Sequence, residues 1–275
     1  MFRVIRLTDP AVIRTFLTMN GADDRARYAY MIGDLSSPYW DQAIFYGALD
    51  DQDVLRAVLL YYEPITPPPV ISAGDPDGIL AIWPVIVQAF APPIIVYHAQ
   101  PNHMAAVQRF FATPDPLPMW RMAISPDRLN TKILLSTTRR LIGTDAETVQ
   151  ALFDNGSPDE FMDGPPHIVP AMLDNVPFFG TFAVGQPDQL VAVAGTHILS
   201  PVEGLGAVGY VFTAPAARGH GYATQATAAV TQALFASGLD LVVLNVKQSN
   251  LPAIRAYERV GYVRQSPLFE GKAYR

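Results

Sequence analysis

Arg218-Gly219-His220-Gly221 stands between a β-branched run, residues 207–213, and an alanine-rich stretch, residues 222–237. The run reads as a strand and the stretch as a helix, so these four residues make a tight strand-to-helix turn. Gly219 and Gly221 let the backbone bend with its N–H groups converging, and the helix N-terminus adds positive potential. The result is an anion site suited to a pyrophosphate, and Arg218 adds a fixed charge with a planar donor fork. The plain alternative is a corner where glycine merely allows close packing. The turn is not a P-loop, since no Gly-Lys-Ser/Thr follows. Nor does it spell G-x-G-x-x-G with an acidic residue about 20 positions on.

A second group of residues follows. Beyond Asn245, at the end of a strand over 241–246, the chain reads Asn250-Leu251-Pro252-Ala253-Ile254-Arg255-Ala256-Tyr257. Asn250 and Tyr257 are almost two helical turns apart and share a face with Ala253 between them. A small residue between two polar ones leaves a groove for a thin ligand.

The elements that must position these residues fall into two similar series. In the first half a helix opens at Asp9-Pro10, and another is expected over 23–32. Strands over 43–49, 55–62 and 69–73, a helix over 77–90, a strand over 93–98, a helix over 102–112 and a strand over 119–125 follow. The second half begins with a strand within 131–142. The capping-box pattern Thr144-Asp145-Ala146-Glu147 starts a helix, and a further helix is expected over 166–174. Strands over 178–184, 190–199 and 207–213, the helix over 222–237, the strand over 241–246, a helix over 250–260 and a strand from Tyr262 complete it. Asn102-His103-Met104-Ala105 and Asn250-Leu251-Pro252-Ala253 occupy equivalent places in the two series. The expectation is two mixed α/β domains, 1–128 and 129–275, divided within 126–131.

Composition narrows the function. Half of the 275 residues are hydrophobic and 16% are charged, so a sizeable core forms and disorder is excluded. The formal net charge is −6, and both halves are net acidic with no basic tail or basic domain, which argues against a nucleic-acid partner. Cysteine is absent, which removes disulfides and thiolate chemistry. The five histidines, 98, 103, 167, 197 and 220, lack ligand spacing, so no metal is expected. Residues 78–99 are apolar enough to suggest a membrane span, but Pro84, Pro92 and Pro93 break the run into a buried helix and strand. MFRVIRLTDP has no apolar leader core, so a soluble, cytoplasmic protein is the expectation.

The two motifs together resemble those of the GNAT N-acetyltransferase superfamily over roughly residues 130–275. Arg218, Gly221 and Ala223 fill the family's Arg/Gln-x-x-Gly-x-Gly/Ala loop. Asn250, Ala253, Tyr257, Gly261 and Tyr262 fill its second motif. The first half resembles the same fold in element order only. It lacks the loop and has Arg109 near the place of Tyr257, so it reads as a degenerate copy in a tandem GNAT-like acyl-CoA N-acyltransferase fold.

The resemblance implies transfer of an acetyl group from acetyl-CoA to a primary amine of a small molecule, amino acid or peptide. Backbone groups of Val211, Phe212 and Thr213 would hold pantetheine. The amides of Gly219, His220, Gly221, Tyr222, Ala223 and Thr224 would hold the pyrophosphate, beside Arg218. Asn250, with Asn245 and Ala253 nearby, would line the arm, and Tyr257 would sit by the sulfur as the catalytic acid, protonating or hydrogen-bonding a thiolate of pKa about 8.5 as it leaves. An alkyl amine of pKa about 10.4 is only about one part in 2,500 neutral at pH 7, a handicap near 4.6 kcal/mol, so a base or water relay helps. The acid carried by many family members at the start of this strand is replaced by Ala207. Glu203, His197 and ordered water remain as candidates. His197, alternating with Val191, Val193 and Leu199, equally reads as a core histidine, and Glu203 as a solvated turn carboxylate. A non-catalytic acyl-CoA-binding sensor is the alternative function.

Overall fold

The computed structural model describes residues 2–157 and 164–275. In chain order the elements are β1 (Arg3–Leu7), α1 (Pro10–Leu17), α2 (Ala22–Arg27), α3 (Ala29–Gly33), β2 (Ala43–Leu49), β3 (Leu55–Tyr62) and β4 (Pro69–Gly74). There follow α4 (Pro76–Phe90), β5 (Ile94–Ala99), α5 (Met104–Gln108), β6 (Leu117–Ile124), β7 (Thr138–Arg140), α6 (Ala146–Asp154) and α7 (Pro170–Asn175). The chain continues through β8 (Phe178–Ala183), β9 (Gln186–Ser200), β10 (Leu205–Thr213), α8 (Tyr222–Ala236), β11 (Leu241–Lys247), α9 (Leu251–Val260) and β12 (Val263–Tyr274). They form two compact units. One holds Met1–Arg121, Lys247–Ser249 and Gln265–Arg275, and the other holds Met122–Val246 and Asn250–Arg264.

In the first unit β1, β2, β3 and β4 pair antiparallel in sequence order, and β4 pairs parallel with β5. The far edge of β5 is taken by β12, antiparallel, from Phe269 opposite Ala99 to Tyr274 opposite Ile94. Helix α4 explains itself locally. Asp75 caps it, Pro76 fits its first turn, and it ends on Ala91 in the left-handed conformation before Pro92-Pro93. Its buried side chains Ile79, Ile82, Trp83 and Ile86 join Leu59, Ile95 and Tyr97 in one core. The apolar stretch over 78–99 is thus interior packing. Among the described residues no helix is long and apolar enough to cross a membrane.

In the second unit β7, β8, β9 and β10 pair antiparallel in order, and β10 then pairs parallel with β11. Helix α6 buries Val149, Leu152 and Phe153 in a core with Leu173, Phe178, Val193 and Phe212. Helix α8 is buried most fully along its middle, at Ala226, Ala228, Ala229 and Val230.

Local details depart from the sequence reading. β1 was not anticipated: it is an edge strand whose arginines interrupt the apolar pattern, and of its residues only Leu7 is buried. The expected helix over 23–32 is two short ones, α2 and α3. The strand expected within 131–142 is reduced to Thr138–Arg140. The turn before α6 is tied by Asp145 in place of the Thr144/Glu147 box. Its carboxylate accepts from Ile142 N–H at 2.9 Å and from both Arg139 terminal nitrogens at 2.9 and 2.7 Å.

Candidate active site

The parallel pair β10/β11 is short. Leu205, Gly206 and Ala207 face Leu241, Val242 and Val243, and no pairing follows. From Val208 to Thr213 the edge of β10 toward β11 is therefore open, about 20 Å of strand at about 3.3 Å per residue. Its backbone groups can be met by a ligand that carries amides of its own.

A distortion of β10 accompanies this opening. Gly209 faces Gly195 and the next paired residue, Phe212, faces Val193, so Tyr210 and Val211 stand opposite Ala194 alone. Tyr210 takes φ +53°, a left-handed conformation that is strained for an aromatic residue. The β-bulge re-aims the strand beside the opening. Phe212 points into the core, with its ring 5.6 Å from that of Phe153. The buried Thr213 Oγ1 has no partner among the described residues.

Beyond Thr213 the turn leads into α8. Gly219 and Gly221 have φ +84° and +81°, and a Cβ on either would meet nothing within 4 Å. Glycine is thus required here by backbone conformation, on a surface open to a guest. Gly221 is the N-cap of α8 and supplies no side-chain cap, so the first-turn amides of Tyr222, Ala223 and Thr224 lack intrahelical acceptors. Arg218 Nε donates to the Thr213 carbonyl at 3.2 Å, and its guanidinium lies 5.8 Å from the Phe212 ring centre. His220 Nδ1 donates to the Arg218 carbonyl at 3.0 Å while its ring stacks on Tyr222. Arg218 and His220 are exposed at the mouth, and Thr224 is buried beneath them.

The second motif forms α9. Asn250 Oδ1 accepts from Ala253 N–H at 3.2 Å as the N-cap, which leaves its amide nitrogen for another contact. Asn245 is half-buried on β11, and Ala253 half-buried on α9. Tyr257 is 6% exposed and meets Tyr262 edge-on, with ring centres 6.1 Å apart. Burial pushes both phenols above their ordinary pKa. Their hydroxyls differ. That of Tyr262 is bonded to Thr231 at 2.8 Å, whereas that of Tyr257 makes no hydrogen bond to the described residues.

The two base candidates are placed far apart. Ala207 faces Ile198 and Val208 faces Thr196, so His197 sits at a second bulge. The alternation with Val191 and Val193 is broken there, and His197 is exposed while those valines are buried. The core-histidine reading therefore fails for a local reason. Its ring centre is 6.0 Å from that of Tyr210, and its Cβ lies against Gly209. Glu203 is buried in the turn before Leu205, at the paired end of β10, about 25 Å along the strand from Thr213.

The equivalent corner in the first unit is built differently. At the start of α4 the Asp75 carboxylate accepts from Asp77 N–H at 2.9 Å and Gly78 N–H at 3.0 Å. A carboxylate of the chain therefore occupies the helix N-terminus that Gly221 leaves open in the second unit. β4 and β5 also separate after three paired residues, but fully buried His103 bonds to Ser72 Oγ and the Gly74 carbonyl of β4, both at 2.9 Å. Asp75-Pro76 ahead of α4 spells the first replacement in the sequence, whereas nothing near residue 103 marks the second.

Known proteins resemble the chain in part of its sequence and in its fold. Residues 147–262 match the model of the acetyltransferase (GNAT) family. An acetyltransferase of the GNAT family from Novosphingobium aromaticivorans is 22% identical, with 74% of this chain and 84% of that one covered, at a TM-score of 0.52. A GCN5-related N-acetyltransferase from Sphaerobacter thermophilus is 16% identical over 98% and 95% of the two chains, at 0.61. A tandem GNAT protein from the clavulanic acid biosynthesis pathway is 11% identical over 100% and 98%, at 0.59. A search of curated protein sequences finds no match.

Proposed function

We propose, from the premise that residues 147–262 form an acetyltransferase domain of the GNAT family, that the second unit moves an acetyl group from acetyl-CoA to a primary amine. The observation that carries this reading is the open edge of β10 running into the uncapped N-terminus of α8. That edge suits pantetheine, whose amides can continue the ladder along Val211, Phe212 and Thr213. The amides from Gly219 to Thr224 suit the pyrophosphate, with Arg218 as countercharge. Asn250 and Asn245 line the arm beside Ala253. Asp75 and His103 argue that the first unit does not take a second cofactor.

His197 is the base we prefer, because it is exposed next to the bulge, whereas Glu203 stands at the far end of the strand. It accepts the proton of the ammonium, directly or through water. The freed amine lone pair forms the N–C bond at the thioester carbonyl, the C–S bond breaks with its electrons on sulfur, and the second nitrogen proton passes through water to the thiolate, leaving a neutral amide and the free thiol. Tyr257 donates a hydrogen bond to the departing thiolate.

A screen of acetyl-CoA with amines, amino acids and peptides carrying free N-termini, read by thiol release and product mass, tests the proposal. Acetylated amine with stoichiometric free CoA is expected. One observation favours the sensor reading instead: Ala207 leaves the start of β10 without a carboxylate. CoA binding with no turnover on any amine would establish that reading.

A further inference from the structure

The first unit carries a cleft that the acetyl-transfer reading leaves unused. It holds about 490 Å³ between the first turns of α4 and the segment that runs from the 3-10 turn Pro101–His103 through α5. Asp77 and Leu80 line it from α4, and Asn102, Ala105, Ala106 and Arg109 from the other wall. Positions 102, 105, 106 and 109 recur at helical spacing and share one face, with Asn102 and Arg109 about 10 Å apart along it at about 1.5 Å per residue. The 2.9 Å bond from His103 Nε2 to the Gly74 carbonyl fastens the start of this wall to the start of α4. Asp77 therefore stands at the Asn102 end of the cleft, and Arg109 at the other. The side chains of Asp77, Asn102 and Arg109 make no hydrogen bond or ion pair among the described residues.

Each wall thus offers the cleft one charge, of opposite sign, and the two are not paired with each other. The start of α4 adds little positive potential, because the Asp75 carboxylate already accepts from Asp77 N–H at 2.9 Å and Gly78 N–H at 3.0 Å. A pure anion would meet Asp77, and a pure cation would meet Arg109. A guest with both charges satisfies both. We propose that this cleft binds a short peptide with free termini, two or three residues long, its ammonium at Asp77 and its carboxylate on the Arg109 fork. An extended chain advances about 3.3–3.6 Å per residue, so three residues span about 10 Å, the length of the wall from Asn102 to Arg109. Asn102 can pair with a peptide group on the way. Half-buried Leu80 and buried Ala106 give an apolar floor for an aliphatic side chain. The site lies in a different unit from the proposed acetyl-CoA site, and each can fail without the other.

The test uses the whole chain with 13C-labelled alanine methyls, without acetyl-CoA. It reads Ala105 and Ala106, each assigned by its loss on substitution with Ser. The peptide Ala-Leu-Ala is titrated at constant ionic strength. A saturable shift of both methyls is expected, with binding weakened about threefold or more when the peptide is N-acetylated or C-amidated, the modest size of ion pairs open to solvent. Asp77→Asn should remove the penalty for N-acetylation, and Arg109→Gln the penalty for amidation. Ala105→Trp, at an exposed position, should fill the cleft and abolish the response of Ala106 while leaving Tm unchanged. Absence of a saturable shift with Ala-Leu-Ala would overturn the proposal. So would equal binding of the peptide blocked at both ends, or undiminished binding by Ala105→Trp.

Discussion

Replacing Tyr257 with Phe removes one oxygen and leaves the ring against Tyr262. A thiolate of conjugate pKa about 8.5 faces a phenol that burial holds above its ordinary value of about 10. Proton transfer from Tyr257 to sulfur is therefore uphill by at least about 2 kcal/mol, and the hydroxyl acts by hydrogen-bonding the charge. A hydrogen bond to a charged partner contributes about 1.5–3 kcal/mol, roughly a 10–150-fold fall in kcat when it is lost. KM for acetyl-CoA should stay nearly constant, since the bond strengthens only as charge builds on sulfur. Stability should also hold, because the hydroxyl has no hydrogen-bond partner among the described residues. Tyr262→Phe is the matched control: it breaks the 2.8 Å bond to Thr231 and should cost about 1 kcal/mol of stability while leaving kcat alone. Steady-state thiol release and thermal melts of the three proteins make the comparison. Wild-type kcat in Tyr257→Phe, or a rise in KM at constant kcat, would refute the reasoning.

Gly221→Val should weaken CoA binding measured by calorimetry, because valine disfavours the φ of +81° that presents the α8 amides. Arg218→Ala should weaken it most at low salt, as expected of an exposed charge. His197→Ala should lower kcat/KM on an amine about 100-fold at pH 7. The deficit should shrink as pH approaches the amine's own pKa, and a pH-independent deficit would point to a packing role. Burial lowers the pKa of His103 below its ordinary value near 6.5, so the unfolded chain binds its proton first. The stability this histidine contributes is complete above pH 6.5 and is lost as pH falls toward its folded value. Denaturant melts of wild type and His103→Asn between pH 7.5 and 5 should converge at the acid end.

What the sequence disclosed was what local chemistry determines. The glycines of the turn, the cap at Asn250 and the prolines around α4 each act within a few residues, and each lies where its spelling places it. The turn before α8 and the helix that carries Tyr257 were legible as local structure for that reason. Features made by distant partners were not. The bulge at His197 depends on its register against β10, and no residue near 197 announces it. Tyr210 adopts its left-handed conformation without the glycine or asparagine that usually marks one. The pairing of β12 with β5 joins strands far apart in sequence, beyond the reach of any periodicity.

That same pairing bears on how the chain is made. During synthesis β5 emerges early, and β12, the strand that covers its far edge, emerges only after every element of the second unit. The second unit, drawn from residues 122–264, has all its material while the first still waits for residues 265–275. The first unit begun earliest is therefore the one finished last. Until then β5 presents an unpaired edge of apolar residues, a hazard for aggregation on the ribosome that a chaperone or fast downstream translation would relieve.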